Sequence, residues 1–139
     1  MAYTINKTDG TALVTVADGA INTTYSITLI GKNYAGNGEV LNENQIKLSE
    51  NFANTTANAP ASPLVGQTFY DTTTNQLKVY DGAQFKTTGS AVNSQSSPSS
   101  AAQGDLWYDT ANGQLYVYSG SAWILVGPTS SSGGTTSGT

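Results

Sequence analysis

The sequence predicts a mainly β protein with one α-helix, and three observations support this prediction. A pattern of about two dozen residues occurs twice, at 66–89 and at 104–127. Short segments in which apolar and polar residues alternate lie between Asp-Gly pairs, a pattern typical of strands joined by tight turns. A single stretch, at 39–54, combines good helix formers with apolar residues at helical spacing. We therefore expect a series of small β units and one helix.

Residues 1–38 form the predicted N-terminal β region. β-branched or alternating segments at 3–7, 13–16 and 24–30 predict three strands, and the Asp-Gly pairs between them predict turns. We expect these strands to form a three-stranded meander. The Gly-rich end of the region, at 31–38, breaks the strand pattern because glycine permits positive φ and a close approach of the backbone.

The predicted helix spans residues 39–54. Glu39 and Glu43 lie in its first turns, where the helix dipole favours acidic side chains. Leu41, Leu48 and Phe52 recur at roughly helical spacing and give the helix an apolar stripe. We expect this stripe to be the seam of a trimer, in which three parallel helices cover one another's apolar side chains.

The two β-repeats, at 60–89 and 98–127, align without a gap when the second is shifted by 38 residues, the difference between Gly104 and Gly66. Each repeat is predicted to form three short strands, because its alternating segments are separated by Asp-, Asn- and Gly-containing turns. The identical pairs are Pro60/Pro98, Ser62/Ser100, Gly66/Gly104, Tyr70/Tyr108, Asp71/Asp109, Thr72/Thr110, Gln76/Gln114, Leu77/Leu115, Val79/Val117, Tyr80/Tyr118, Gly82/Gly120 and Gly89/Gly127.

Each repeat is too small to cover both faces of its own sheet, and such units are marginal without disulfides, metal or oligomerisation. In the second repeat, alternation places Leu115 and Val117 on one face and Tyr116 and Tyr118 on the other. The polar linkers between the units make one shared core difficult to form. We therefore expect an elongated, trimeric arrangement of parallel chains around a threefold axis.

Composition argues against several functional classes. The chain has no Cys, His or Arg, and its nine acidic residues and five lysines give a net charge of −4. Thiolate and imidazole metal ligands, and the side chain that titrates near neutral pH, are therefore missing. A negative chain without Arg is also a poor partner for nucleic acid. We expect no enzymatic activity, no cofactor, no metal and no nucleic-acid partner.

Neither end of the chain has the composition of a membrane or secretion segment. The sequence begins MAYTINKTDG, without a basic segment followed by an apolar one, and no run of 18 or more apolar residues occurs. We expect neither a secretion signal nor membrane association. Residues 128–139 are rich in Ser, Gly and Thr, which is typical of a linker or tail.

Asp71 and Asp109 occupy equivalent turns and have two alternative roles. They could bind calcium, or each could cap its own turn by accepting hydrogen bonds from backbone N–H groups. The second role is favoured because the loops are poor in other carboxylates. An acid/base pair for glycoside hydrolysis needs two carboxyl groups in unlike environments, which residues at equivalent positions do not provide.

Four aromatic residues of the second repeat are candidate contact residues: Trp107, Tyr116, Tyr118 and Trp123. Flat rings with polar edges suit the faces of sugars, so the four could form a platform for a glycan. Alternatively they pack the sheet or a subunit interface, since aromatic side chains are the usual means by which a small sheet buries enough area. The packing role is favoured.

Two stretches resemble known proteins. Residues 29–44, LIGKNYAGNGEVLNEN, continued by LSENFA at 48–53, resemble a segment recurrent in tail-fibre and other virion structural proteins of tailed bacteriophages, especially cyanophage-like ones. The second repeat, with LWYDT at 106–110 and QLYVY at 114–118, is similar to a short β-module common in the same proteins. The first copy departs from that module, having Thr, Phe and Lys where the pattern prefers Leu, Trp and Tyr.

The resemblance implies a trimeric, elongated component of a virion, attached to the particle at its N-terminal end and carrying shaft or receptor-contacting modules beyond. Its implied partners are other tail or baseplate proteins and, for receptor-contacting modules, a host surface glycan. The alternative is a carbohydrate-binding module that recognises a host glycan through the aromatic residues of the second repeat.

Overall fold

A computed structural model of the protein describes residues 1–127. The described residues form eleven short strands and one α-helix, which confirms the predicted fold class of a mainly β protein with one helix. The chain divides into two compact units, Met1–Phe85 and Lys86–Thr139. The predicted linker or tail at 128–139 lies outside the described residues.

Strands β1 (Tyr3–Asn6) and β2 (Ala12–Val16) form an antiparallel hairpin. The turn between them lies at the predicted Asp-Gly pair. Gly10 has a φ of 89°, which favours glycine, and Asp9 accepts hydrogen bonds from the backbone N–H and the hydroxyl of Thr11 at 3.0 and 2.7 Å. The side chain of Asp9 therefore fixes the geometry of the first turn.

The predicted third strand of a meander is wrong. Residues 24–28 are not a strand, and β3 (Ile21–Asn22) and β4 (Leu29–Ile30) form a separate two-stranded sheet. The reason lies at Thr28, whose backbone N–H and C=O are both bonded to the side-chain amide of Asn44, at 3.0 and 2.8 Å. This amide takes the place of a neighbouring strand as the hydrogen-bond partner of Thr28.

Gly31 makes the close backbone approach expected of the Gly-rich segment. Its N–H donates to the carbonyl of Ala20 at 2.8 Å. A Cβ at this position would lie 2.1 Å from the carbonyl oxygen of Ala17, which no side chain tolerates. Glycine is therefore required where the chain passes the end of the first hairpin.

Helix α1 (Asn37–Ser49) begins two residues before the predicted start and ends five residues before the predicted end. Its C-terminus is closed by two hydrogen bonds, from the N–H of Phe52 to the carbonyl of Lys47 and from the N–H of Asn51 to the carbonyl of Leu48. This pair of bonds is a Schellman motif, and Asn51 takes the left-handed conformation that the motif needs, with a φ of 52°. Phe52 therefore lies beyond the helix.

The first repeat forms an antiparallel sheet of β5 (Thr68–Asp71), β6 (Gln76–Tyr80) and β7 (Phe85–Thr87). The second repeat contains β9 (Leu106–Asp109), β10 (Gln114–Tyr118) and β11 (Trp123–Leu125). All three strands of the second repeat begin and end at positions equivalent to those of the first, 38 residues later. The prediction of three strands in each repeat is confirmed.

The segment before the second repeat is also structured, which the sequence did not predict. Residues Val92–Ser94 form strand β8, which pairs in parallel with β9 and extends the sheet to four strands. In the first repeat Asn54 makes an isolated parallel bridge to Asp71, with its N–H bonded to the carbonyl of Tyr70. Each repeat thus includes part of its preceding linker.

The cores of these units are small. Within residues 1–127 the buried hydrophobic side chains are Val16, Phe69 and Trp107. Val16 belongs to the N-terminal hairpin, Phe69 to the first repeat and Trp107 to the second. No residue of helix α1 is buried.

Candidate functional site

The four aromatic candidates of the second repeat form one cluster on one face of the sheet. The rings of Trp107 and Tyr116 stack at a centroid distance of 4.8 Å and an interplanar angle of 21°. Trp123 contacts Trp107 edge-on at 5.6 Å and Tyr118 at 5.0 Å. Trp107 is 8% exposed and donates from Nε1 to the carbonyl of Ser94 at 3.1 Å, whereas the other three rings are half-buried.

The first repeat has the same cluster at the equivalent positions. Phe69 contacts Phe85 at 5.1 Å, and Phe85 contacts Tyr80 at 5.2 Å. Only Tyr116 has no aromatic counterpart, since Lys78 takes its place. Because each repeat buries one ring of the cluster, Phe69 or Trp107, against half-buried rings, the arrangement favours the packing role of the aromatic residues.

Asp71 is fully buried and is held by four donors. Its Oδ1 accepts from the N–H groups of Thr73 and Thr74 at 2.9 and 3.4 Å, and its Oδ2 accepts from Thr56 Oγ1 at 2.5 Å and Lys78 Nζ at 2.8 Å. Burial by itself would raise the pKa of this carboxyl group. Hydrogen bonds from Lys78, Thr56 and the Thr73 amide outweigh burial and lower the pKa to about 2.

Asp109 makes the same turn with neutral partners. Its Oδ1 accepts from the N–H groups of Ala111 and Asn112 at 2.9 and 3.3 Å, and its Oδ2 accepts from Asn112 Nδ2 at 2.9 Å. The hydrogen bond from the Asn112 side chain lowers the pKa of Asp109, against the opposing effect of burial, and the backbone N–H groups lower it further. The predicted turn-capping role of both aspartates is confirmed.

The stripe predicted as a trimer seam is open on the helix but shorter than expected. Leu41 and Leu48 are 49% and 56% exposed and lie two turns apart on one side of α1. Phe52 is half-buried and follows the helix with a φ of 55°, so it does not continue the stripe. Asn44, three residues after Leu41 and four before Leu48, lies on the same side of the helix, and its amide is bonded to the backbone of Thr28.

The face of the second repeat opposite the aromatic cluster is aliphatic and uncovered. We call it the aliphatic face. Strand register places Tyr108 opposite Leu115, and Leu106 and Ile124 on either side of Val117. Val126 lies beside Leu115, since its backbone N–H donates to the Leu115 carbonyl at 2.8 Å. Its side chain therefore belongs to the same face. Leu106, Tyr108, Ile124 and Val126 are 41%, 41%, 52% and 46% exposed.

A shallow groove of about 300 Å³ lies beside the C-terminal end of α1, within the first unit. It combines the rings of Tyr25 and Phe52 with the charged groups of Lys47 and Glu50 and with hydroxyl and amide side chains. The sequence gives no signal for this groove, because its walls come from separate segments, at 23–26, 47–54 and 58–61. The lining residues are Thr23, Thr24, Tyr25, Ser26, Lys47, Glu50, Phe52, Ala53, Asn54, Asn58, Pro60 and Ala61.

Metal ligation, membrane spanning and similarity to known proteins were each considered for the described residues. Across positions 1–127, no three side chains of His, Cys, Asp or Glu lie together as metal ligands would. In the same part of the chain, no helix has both the length and the apolar character needed to cross a membrane. Comparisons with protein-family models, with curated proteins and with solved structures each give no match.

Proposed function

We propose that the chain is a structural component of a phage virion: a segment of a trimeric tail fibre or fibre-like appendage that belongs to the host-adsorption apparatus. The observation that carries this proposal is the shortage of buried apolar groups. The described residues bury three hydrophobic side chains and leave apolar side chains exposed on the helix and on the second repeat. Units of this kind reach stability by association, since a single chain covers too little apolar surface.

The repeats support the same proposal. Both copies keep the strands, the turn aspartate and most of the aromatic cluster, while several side chains on the outer surfaces differ, among them Leu106, Ile124 and Val126 against Thr68, Lys86 and Thr88. Repetition of a scaffold with variable surfaces suits a shaft built from similar modules. The resemblance of 29–53 and of the second repeat to phage tail-fibre proteins supplies the link to a virion.

Light scattering coupled to size-exclusion chromatography tests the trimer. We expect a mass close to that of three chains at micromolar concentration. A folded, stable monomer at that concentration would refute the proposal. Mass spectrometry of purified particles of the phage that carries the sequence tests its location, and there we expect peptides of this chain among the virion proteins.

The alternative, a carbohydrate-binding module, depends on the rings that stay half-buried in the second repeat. Trp123 is the more informative residue to replace. Trp107 is buried and hydrogen-bonded within the module, so its loss would lower stability whether or not it contacts a glycan. If Trp123→Ala abolished binding on a glycan array and left thermal stability unchanged, the alternative would be favoured. A loss of stability equal to that of Trp107→Ala would assign Trp123 to packing.

A further inference from the structure

We infer that the aliphatic face of the second repeat is a self-association surface that packs against the same face of neighbouring copies of this chain. This inference rests on the proposed trimer and assigns one of its interfaces. The chain itself provides the relevant comparison, because the two repeats share their strands and differ at three positions of this face.

Three positions of the face differ between the repeats. Leu106, Ile124 and Val126 are exposed in the second repeat. The first repeat has Thr68, Lys86 and Thr88 at the equivalent positions and forms strands with the same bounds. Aliphatic residues are therefore not needed at these positions to make the module. Exposed apolar residues grouped on one face are typical of an interaction site.

Charge argues that the occupant is another copy. The six residues that define the face have no carboxyl or amino group in their side chains. Asp109 is buried among its turn donors on the opposite face, and the carboxylate of Asp105 is paired with the ammonium group of Lys86, 3.2 Å from Nζ to Oδ2. A charged patch would select a partner of opposite charge. A neutral aliphatic patch is complementary to itself, and two copies meet without like-charge repulsion.

Size argues that more than one copy covers it. The face residues lie along β9, β10 and β11, and three strands spaced about 4.8 Å apart give a face roughly 15 Å wide. Such a face exposes less apolar area than the roughly 800 Å² per partner of a typical stable interface. Around a threefold axis each face is covered by two neighbours, and sheets pack at about 10 Å. Three such faces, one from each chain, would together enclose a small apolar core that a single chain cannot form.

The first repeat supplies the test variant: Leu106→Thr, Ile124→Lys and Val126→Thr combined, which gives the second repeat the residues of the first. We expect the chain to remain folded by near-ultraviolet circular dichroism, which reports on the cluster of Trp107 and Trp123. We expect its self-association in sedimentation equilibrium to weaken by about 100-fold or more, because a lysine would be buried at each face. Thr110→Lys adds the same charge on an exposed turn and should leave association unchanged.

Cross-linking gives a second measurement that does not depend on the triple variant. The chain has no Cys, so Ile124→Cys places a single thiol on the face, and a short bismaleimide should join chains in high yield. Thr110→Cys is the matched control and should give little product. A wild-type trimer whose triple variant stays trimeric, or which does not cross-link through position 124, would overturn this inference and leave the proposed trimer intact. A monomeric wild type would refute the proposed trimer itself.

Discussion

At the scale of single residues, the two turn aspartates show how one position in a repeat acquires different energetics. Asp71 and Asp109 accept the same pair of backbone hydrogen bonds. Asp71 also binds the ammonium group of Lys78, whereas the residue equivalent to Lys78 in the second repeat is Tyr116. The same turn therefore depends on an ion pair in the first repeat and on neutral donors in the second.

Replacing Asp71 by Asn should destabilise the first repeat more than Asp109→Asn destabilises the second. The Asp71→Asn substitution would leave the largely buried Lys78 without its anionic partner, and we expect a loss of about 2 kcal/mol or more. Asp109→Asn removes no ion pair. Hydrogen exchange of the amides in each repeat measures the two effects separately, and equal losses of protection in both repeats would contradict the prediction.

The same ion pair predicts a dependence of stability on pH. The pKa of Asp71 is lowered from 3.8 to about 2 in the folded protein. A carboxyl group whose folded pKa is depressed stabilises the protein above its unfolded pKa, and this contribution is lost as the pH falls from about 4 towards 2. We expect protection of the first repeat to decrease by about 2 kcal/mol over this range. In Asp71→Asn the decrease should be smaller, and an unchanged profile would refute the assignment.

Two glycines allow a matched test of backbone constraint. Gly31→Ala should destabilise the N-terminal region by more than about 2 kcal/mol, because the new methyl group would meet the Ala17 carbonyl oxygen at 2.1 Å. Gly38 lies in helix α1 with no atom near the position of a Cβ, so Gly38→Ala should leave stability unchanged or raise it by up to about 1 kcal/mol. Thermal unfolding followed by far-ultraviolet circular dichroism distinguishes them, and a tolerated Gly31→Ala would be the contrary outcome.

At the scale of elements, sequence patterns predicted the strands and turns whose hydrogen-bond partners lie close by in the chain. The strands of both repeats and the turn at Asp9-Gly10 follow from alternation and turn residues close in sequence. Strand β8 was missed because its partner, β9, lies more than ten residues further along and pairs with it in parallel, which leaves no signal in a three-residue segment. The aromatic cluster was predictable by alternation, but the groove beside α1 was not.

The wrongly predicted strand at 24–30 depends on one side chain of another element. The amide of Asn44 satisfies both backbone groups of Thr28, so Asn44→Ala should lose two partly buried hydrogen bonds and about 1–3 kcal/mol of stability. Asn42→Ala, at an exposed position of the same helix, controls for the change in helix propensity. Hydrogen exchange at Thr28 should accelerate in the first variant and not in the second, and slow exchange in both would contradict this role.

At the scale of the whole molecule, the described residues form small units, three of which each bury one hydrophobic side chain. Val16, Phe69 and Trp107 are the buried hydrophobic residues of positions 1–127. Helix α1 adds none, although it carries Leu41, Ile46 and Leu48. A chain with so little internal burial should gain much of its stability from neighbouring copies, so its apparent stability should increase with protein concentration.

The helix offers a direct test of how copies of the chain meet in the proposed trimer. At about 100° per residue, Leu41 and Leu48 project within roughly 20° of each other, whereas Ile46 projects about 150° away, although all three are similarly exposed. If the proposed trimer forms through the predicted seam, Leu41→Ser combined with Leu48→Ser should weaken it in sedimentation equilibrium, because the double variant removes the apolar side chains of that seam. Ile46→Ser removes a comparable side chain from the other side of α1 and should leave the mass unchanged. If Ile46→Ser dissociated the trimer while the double variant did not, the seam would lie on the opposite side of the helix, and the assignment of Leu41 and Leu48 would be wrong.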